Sequence, residues 1–282
     1  MLTRSSRDAL AIQYPCPAGR REELLTKLGF RFGHNGPHAA RTMMLDDLRR
    51  LLSEVAPEAG RAEYASAVID ANRLGKPTRK ARELALRHLA TLYALEPSNP
   101  VFRALRRLWP LNAAAQPLLA LVVALARDPL LRTSRPVVLA QPVAAPVPRE
   151  LFEAHLRASC PDRFSPASLK SFAQNVAGTW TASGHLQGRV RKIRSAVRAH
   201  PESITLLLFL GYLEGRSGQR LFSSEWMSLI DGSPLELEAL ANAASHRGLL
   251  VFMNAGGVRE VRFPGYLTLE EERIREEALH VV

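Results

Sequence analysis

The sequence predicts a mainly helical protein with helix-turn-helix elements and a winged-helix-like hairpin near its C-terminus. Three observations support this fold class. Apolar residues recur at helical spacing through most of the chain, and short turns containing Gly or Pro join the helix-compatible segments. Strand-forming residues are concentrated in one late segment, LLVFMNAGGVREVRF. With 282 residues, of which 46% are hydrophobic, the chain can bury a sizeable core.

The first half of the chain reads as a helical domain. Residues 1–40 carry scattered Pro, Gly and Arg, which predicts an N-terminal arm or a short helical lead-in near residues 22–28. The segment MMLDDLRRLLSEV then places Leu48, Leu51 and Leu52 on one helical stripe. Further helices are predicted in GRAEYASAVIDANRL, TRKARELALRHLATLYAL, FRALRRLW and AAAQPLLALVVALARD.

Residues 134–148, SRPVVLAQPVAAPVP, are rich in proline. Because proline cannot sit in the interior of a helix, we predict an extended connector and a domain boundary here. The alternative is an ordered Pro-rich loop that packs on one continuous domain.

The second half continues with helices in ELFEAHLRASC and in the segment after Ser165, where Ser at the N-cap and Pro at the first position form a good helix start. GRVRKIRS is short, basic and compatible with a strand. ESITLLLFLGYLEG is apolar on all sides and predicts a buried helix, and LFSSEWMSLI predicts an amphipathic helix.

A capping box at Ser233 and Glu236 begins the last predicted helix of this half, and Gly248 ends it. Two strands around Ala255-Gly256-Gly257 then complete the order of a winged helix. These patterns divide the chain into an arm (1–40), a helical domain with a helix-turn-helix (41–133), a connector (134–148), a helical/winged-helix domain (149–264) and an acidic tail (265–282).

The charge is strongly basic, with a net charge of +11, and arginine supplies most of the excess. A field of this sign attracts polyanions such as DNA, RNA or an anionic membrane surface. The charge is also clustered. Residues 73–87 hold six basic residues against one acid, residues 157–198 hold eight against one, and residues 265–282 hold two against five.

The first cluster lies on a helix-turn-helix pattern, with RLGK at residues 73–76 as the turn and a second helix beginning at Pro77-Thr78. A basic face near the start of such a helix is suited to phosphate and base-edge contacts. The alternative is a solvated face of an ordinary bundle. The candidate nucleic-acid-binding residues here are Lys76, Thr78, Arg79, Lys80, Arg82 and Arg87.

The second cluster begins on the helix after Ser165 and continues into the basic strand, in which Arg189 and Arg191 are expected to point to one side. Such residues supply backbone affinity rather than specificity. The alternative is an exposed strand that charge protects from edge pairing. The candidate residues are Lys170, Arg189, Arg191, Lys192, Arg194 and Arg198.

The C-terminal winged helix carries Glu236 and Glu238 near the start of its second helix, and acids there repel phosphate. We therefore expect a packing or protein-contact role for it. DNA contact by Arg259 and Arg262 of its hairpin is the alternative.

The sequence contains no P-loop, GxGxxG, HExxH or GxSxG motif, so we expect no enzymatic activity and no cofactor. Cys16 and Cys160 stand in unrelated contexts, and we expect no metal site. The three tryptophans lie on apolar stripes and are expected in the core. The apolar stretches are too short to span a bilayer, and we expect a soluble, cytoplasmic monomer without membrane contact.

The run RLGKPTRKARELALRHLATLYALEP, followed by PLLALVVALARDPLLR, resembles the BrxA component of BREX bacteriophage-exclusion systems. FSPASLKSFAQNVAGTWTASGHL and LFSSEWMSLIDGSPLELEALANAASHRGLLVF resemble the same family, so the similarity spans about residues 43–263. The resemblance implies an all-helical, non-enzymatic protein that binds double-stranded DNA through residues 76–87 and 165–194. The arm and the acidic tail depart from the family pattern.

The leading hypothesis is a DNA-binding accessory protein of a phage-defence system, which also contacts other proteins of that system. One alternative is a scaffold that docks a larger defence complex through the C-terminal winged helix. Another is an RNA-binding factor of antitermination type, although the RNP aromatic motifs and a KH-type GxxG clamp are absent.

Overall fold

A computed structural model describes residues 19–160 and 163–280, and it is mainly helical, as predicted. Short 3₁₀ helices occur at Pro37–Ala39, Trp109–Leu111 and Met227–Leu229. The α-helices are α1 (Arg20–Lys27), α2 (Leu45–Glu54), α3 (Arg61–Ile69), α4 (Arg79–Tyr93), α5 (Pro100–Leu108), α6 (Gln116–Arg127), α7 (Pro129–Thr133), α8 (Arg135–Leu139), α9 (Arg149–Ser159), α10 (Pro166–Ala182), α11 (Pro201–Leu213), α12 (Gln219–Phe222), α13 (Pro234–His246) and α14 (Leu269–His280).

Two antiparallel hairpins accompany the helices. The first hairpin pairs β1 (Leu186–Gln187) with β2 (Ile193–Arg194). The C-terminal hairpin pairs β3 (Val251–Ala255) with β4 (Val258–Arg262), and Gly256 and Gly257 turn between the strands with positive φ angles. Helix α13 packs against α11 and the C-terminal hairpin follows it, which confirms the predicted hairpin near the C-terminus.

The core is built around α6 and α11. Every residue of α6 from Leu118 onward is buried, and in α11 the buried face includes nearly the whole helix because its residues are apolar on all sides. One cluster of buried apolar side chains includes members from α1 to Tyr266 and therefore spans the Pro-rich segment. No helix in the described ranges is long and apolar enough to cross a bilayer.

The predicted arm is described from residue 19 onward, because residues 1–18 lie outside the described residues. The described part is not an arm. Leu25, Leu28 and Phe30 join the core, and α1 packs against α14, with Arg20 pairing with Glu277 at 2.6 Å. The acidic tail is thus a helix held against the body, and its Ala278 is buried.

The Pro-rich segment is not uniformly extended. Residues of α8 form a helical turn, with Pro136 in its first turn, where a missing N–H costs nothing. The later part is extended, as predicted, and it pairs with β2: the Val147 amide donates to the Lys192 carbonyl at 2.8 Å, and the Arg194 amide donates to the Ala145 carbonyl at 2.8 Å. The prolines therefore border a third, irregular strand of the first hairpin.

The prediction of one helix over LFSSEWMSLI is wrong. Helix α12 ends at Phe222, and the 3₁₀ turn Met227–Leu229 follows. Leu221, Trp226 and Leu229 are all buried. Leu221 and Trp226 are five positions apart and would point about 140° away from each other on a continuous helix, so the break allows both to enter the core.

A buried polar network ties the segment after α1 to α7 and α10. His38 Nδ1 lies 2.7 Å from Asp128 Oδ2, and His38 Nε2 lies 2.8 Å from Thr179 Oγ1. All three side chains are fully buried. Burial raises the pKa of Asp128, but the hydrogen bonds and charge of His38 outweigh it, so the net shift is downward. Gly36 is required beside this network, because a Cβ there would overlap the Asp128 carboxylate.

Candidate nucleic-acid interface

The first basic cluster is carried by α3, α4 and the segment between them. Thr78 is the N-cap of α4, and its hydroxyl accepts from the Ala81 amide, so the predicted start of the second helix is confirmed. The predicted four-residue turn is wrong, because α3 ends at Ile69 and nine residues, 70–78, precede α4. Asn72 adopts a positive φ and its side chain bonds to both backbone groups of Lys76, which holds this longer turn in shape.

The candidate residues of this cluster fall into two groups. Lys76 pairs with Asp47 at 2.8 Å, Arg79 pairs with Glu83 at 3.1 Å, and Arg82 donates to the Ile69 carbonyl. Lys80 and Arg87 are exposed and have no ion-pair partner among the described residues. They are seven positions apart and form one solvent-facing stripe on α4.

The second cluster begins on α10. The Ser165 hydroxyl accepts from the Ser168 amide, which confirms the predicted helix start. Lys170 is exposed near the beginning of α10. It lies on the same helical face as Gln174 and Ala177, because residues four and seven positions apart project from one side of a helix.

The predicted basic strand is a loop. Strands β1 and β2 each have two residues, and residues 188–192 form the turn between them, so Arg189, Val190 and Arg191 do not alternate across a sheet. All three are exposed. Gly188 has a φ of 95°, and a Cβ there would lie 2.1 Å from the Arg191 carbonyl oxygen, so this tight turn requires glycine. Lys192 Nζ donates to the Gly188 carbonyl at 2.7 Å and closes the loop.

Arg194 is a correction to the predicted site, because its side chain is buried rather than exposed. It pairs with Asp231 at 2.9 Å and is only 3% exposed. Asp231 also accepts from the Val197 amide at 3.0 Å. Arg194 therefore anchors the base of the first hairpin and is not available to a ligand, whereas Arg198 is exposed as predicted.

Two adjoining clefts border α10, one lined by Lys76 of the first cluster and the other by Arg189, Arg191 and Lys192 of the second. The α4 cleft, of about 790 Å³, lies between the start of α2, the Lys76-Pro77 turn, the Ala81 face of α4 and Ala182 of α10. The hairpin cleft, of about 660 Å³, lies between α10, the Pro-rich segment and residues 189–192. They adjoin, because Gly178 lines the hairpin cleft and a Cβ on it would lie 3.2 Å from Thr42, which lines the α4 cleft.

Sequence reasoning missed Arg41, which is exposed on the border of the α4 cleft. It stands alone in the sequence, so no cluster marked it. Its charge reaches α4: the pKa of His88 is lowered, first by burial and then by the positive charges of Arg41 and Arg87. Arg149 also lines the hairpin cleft, but it pairs with Glu150 and Glu153.

The C-terminal unit carries its charges in pairs. Arg259 of the C-terminal hairpin pairs with Glu238 of α13, and Asn254 donates to the same carboxylate at 3.0 Å. Arg262 pairs with Glu260 at 2.6 Å. Glu236 accepts from the Ser233 amide and hydroxyl, so the predicted capping box is confirmed and its carboxylate is occupied.

No catalytic arrangement opens to solvent around these clefts. The Asp128–His38–Thr179 network has the order of a nucleophile triad, but none of its side chains is exposed, so its geometry serves to fasten α10. Within residues 19–160 and 163–280, no group of three His, Cys, Asp or Glu residues is placed to hold a metal ion.

Comparison with known proteins gives no relative from which a function could be transferred: no protein-family model matches the chain, and no curated protein is significantly similar to it.

Proposed function

We propose that this protein is a non-enzymatic binder of double-stranded DNA that contacts the phosphate backbone through one basic surface around α10. The basic surface consists of Arg41, Lys80, Arg87, Lys170, Arg189, Arg191 and Lys192.

One observation carries the proposal. Arg41 borders the α4 cleft, and Arg189, Arg191 and Lys192 border the adjoining hairpin cleft, although they are far apart in sequence. Lys80 and Arg87 lie beside the clefts on the solvent-facing stripe of α4. No member of the basic surface forms an ion pair within the described ranges. Uncompensated Lys and Arg side chains repel one another unless a polyanion lies across them. The phosphate backbone offers such a row of charges, and its binding releases counterions.

The clefts also contribute the positive end of a helix dipole and a surface of small residues. Helix α4 begins at the rim of the α4 cleft without an acid in its first turn, so its dipole adds positive potential there. The α10 face between the clefts is made of small residues, including Ala177 and Gly178, which leave room for a sugar-phosphate backbone to approach. Asp46 and Asp47 also line the α4 cleft, but they pair with Arg49 and Lys76, so the cleft-lining cations that remain without an ion pair in the described ranges are those of the basic surface.

The test is fluorescence anisotropy with a labelled DNA duplex at several salt concentrations. We expect the affinity of the parent chain to fall steeply with salt concentration. For K80E/R189E, the slope of log affinity against log salt concentration should be smaller by roughly 2, because each lost phosphate contact removes about one unit of slope. The matched control is R220E/R273E, which makes the same charge change at exposed positions away from the clefts. Absence of duplex binding at low salt would refute the proposal.

Competition separates DNA from RNA. An RNA duplex of equal length has a narrow, deep major groove, and we expect it to displace labelled DNA less well than unlabelled DNA does. Stronger displacement by RNA would favour an RNA-binding factor. A role in phage defence rests on the resemblance to BrxA alone. Two experiments test it: plating of phage on strains with and without the gene, and recovery of partner proteins.

A further inference from the structure

At the tip of the first hairpin, an exposed valine lies between two arginines that form no ion pair within the described ranges. Val190 is 91% exposed, and Arg189 and Arg191 on either side of it are also exposed. In solution this arrangement leaves an apolar side chain in water at the end of a projecting loop. What distinguishes Val190 from the other exposed apolar side chains of the chain is its place between two exposed arginines, which suits a partner that offers negative charge on both sides of an apolar surface.

The loop is held in one conformation. Gly188 makes a turn that no other residue fits, Lys192 bonds across the loop, and below them the Ser195 amide donates to the His185 carbonyl at 2.8 Å. The ion pair of the buried Arg194 with Asp231 fixes the base. Because the hairpin also pairs with the Pro-rich segment, the tip is presented by three strands of backbone rather than by a flexible loop.

We propose that residues 189–191 enter the minor groove of a DNA duplex, where Val190 wedges against a base step and the two arginines lie along the groove. This inference rests on the proposed function and specifies how the first hairpin takes part in it. The minor groove is about 6 Å wide, which admits a narrow loop but excludes a helix. Arginine is attracted to narrow A·T-rich minor grooves, and apolar wedges there unstack and kink the duplex.

A protein and a lipid surface are the two other kinds of partner that contact an exposed valine, and the surroundings of Val190 disfavour both. A protein partner for this tip would need acids on both sides of an apolar pocket. Binding to an anionic lipid surface requires an apolar patch wider than one side chain. The tip offers no such patch, because the neighbouring residues Gln187, Gly188 and Lys192 are polar or small. A duplex supplies negative potential on both walls of the groove and apolar sugar edges between them.

The experiment uses the full chain and a short A·T-rich duplex with donor and acceptor dyes at its ends. We expect the parent protein to bend the duplex by roughly 20–90°, the range that apolar wedges produce, and netropsin, a minor-groove ligand, to displace it. V190A should bind with an unchanged salt slope but lose the bend. V258A changes the exposed valine of the C-terminal hairpin in the same way and should bend the duplex as the parent does.

The outcomes separate this inference from the proposed function. Salt-sensitive duplex binding in which V190A still bends the DNA and netropsin does not compete overturns the minor-groove contact and leaves the backbone contact standing. No duplex binding by the parent overturns both. Binding to anionic vesicles that V190A abolishes, with DNA bending unaffected, assigns the tip to a lipid surface and also overturns the inference.

Discussion

Helices α4 and α13 have the same local design and opposite electrostatics. Each is the later helix of a helix pair, and each begins with a hydroxyl N-cap, from Thr78 in one and Ser233 in the other. Helix α4 has no acid in its first turn and carries unpaired cations, whereas α13 has Glu236 in its first turn and pairs Glu238 with Arg259. A capped helix in a helix pair is therefore a scaffold, and the charges on it decide what it can bind.

The two regions also differ in how their side chains are used. Lys80 and Arg87 of α4 point to solvent, so changing them should affect binding and leave folding nearly unchanged. Around α13 the polar groups bond to one another above a core of aromatic side chains, so changes there should affect stability.

The largest effect is expected for Trp226→Ala. Trp226 is buried before α13, and its ring lies 6.1 Å from that of Phe30. Removing a buried tryptophan should lower the free energy of unfolding by about 3 kcal/mol or more, measured by chemical denaturation. The DNA salt slope of the folded variant should not change. Trp226→Phe is the control and should be less destabilised. A changed slope for W226A would mean that the two regions are not separable.

The next effect concerns acid. Burial lowers the pKa of His185 to about 4. Its unfolded value is about 6.5. Between these values the unfolded chain binds a proton that the folded chain does not, so stability is lost as the pH falls through this window.

His185 bonds to the Leu229 carbonyl at 2.9 Å and so connects the first hairpin to the segment before α13. We expect about 2 kcal/mol of stability to be lost between pH 7 and pH 5 from this residue. Denaturation at both values measures it, and His185→Gln should remove that part of the pH dependence. An equal loss in H185Q would assign the acid sensitivity to another group.

A smaller effect, on binding alone, is expected for K80E/R87E, which gives α4 the acidic character of α13. The DNA salt slope should fall by roughly 2. Unfolding free energy should stay within about 0.5 kcal/mol, because both side chains are exposed. The same measurements on R220E/R273E provide the control. Loss of binding together with loss of structure would contradict the separation of charge from folding around α4.

The smallest effect is expected for Glu238→Ala, which tests whether the ion pair of Glu238 with Arg259 prevents the C-terminal hairpin from contacting DNA. Without Glu238, Arg259 becomes an uncompensated cation. The salt slope should then increase by about 1. E238A/R259A should return it to the parent value. If E238A leaves the slope unchanged, the α13 region is turned away from the DNA, and the contrast with α4 is one of position rather than of charge.

Features encoded by neighbouring residues could be predicted from the sequence. Ser165 and Ser233 begin α10 and α13 as expected, because an N-cap depends on residues within one turn. Gly248 follows α13 with a positive φ, as a helix stop requires. The alternation assumed for residues 189–192 was wrong because two short strands around a tight glycine turn look, in sequence, like one basic strand.

Features that depend on distant residues could not be predicted. Counting charges places Arg194 and Lys76 in basic clusters, yet Asp231 and Asp47 neutralise them from elsewhere in the chain. The His38–Asp128–Thr179 network joins three segments with no common motif. Arg41 belongs to the basic surface through folding alone. Each case requires the tertiary arrangement, which a local pattern does not contain.

Helix α10 sets the separation between the α4 cleft and the hairpin cleft. Thr179 is bonded to His38, and Trp180 Nε1 donates to the Ser134 hydroxyl at 2.9 Å, so this helix cannot slide or turn independently of the core. The part of α10 that lines the two clefts, from Ala173 to Ala182, spans about 14 Å. On the proposed function, α10 therefore fixes the distance between the two clefts that contact DNA. A stiff duplex keeps its phosphates in register over that length, whereas a flexible single strand must give up conformational freedom to match it.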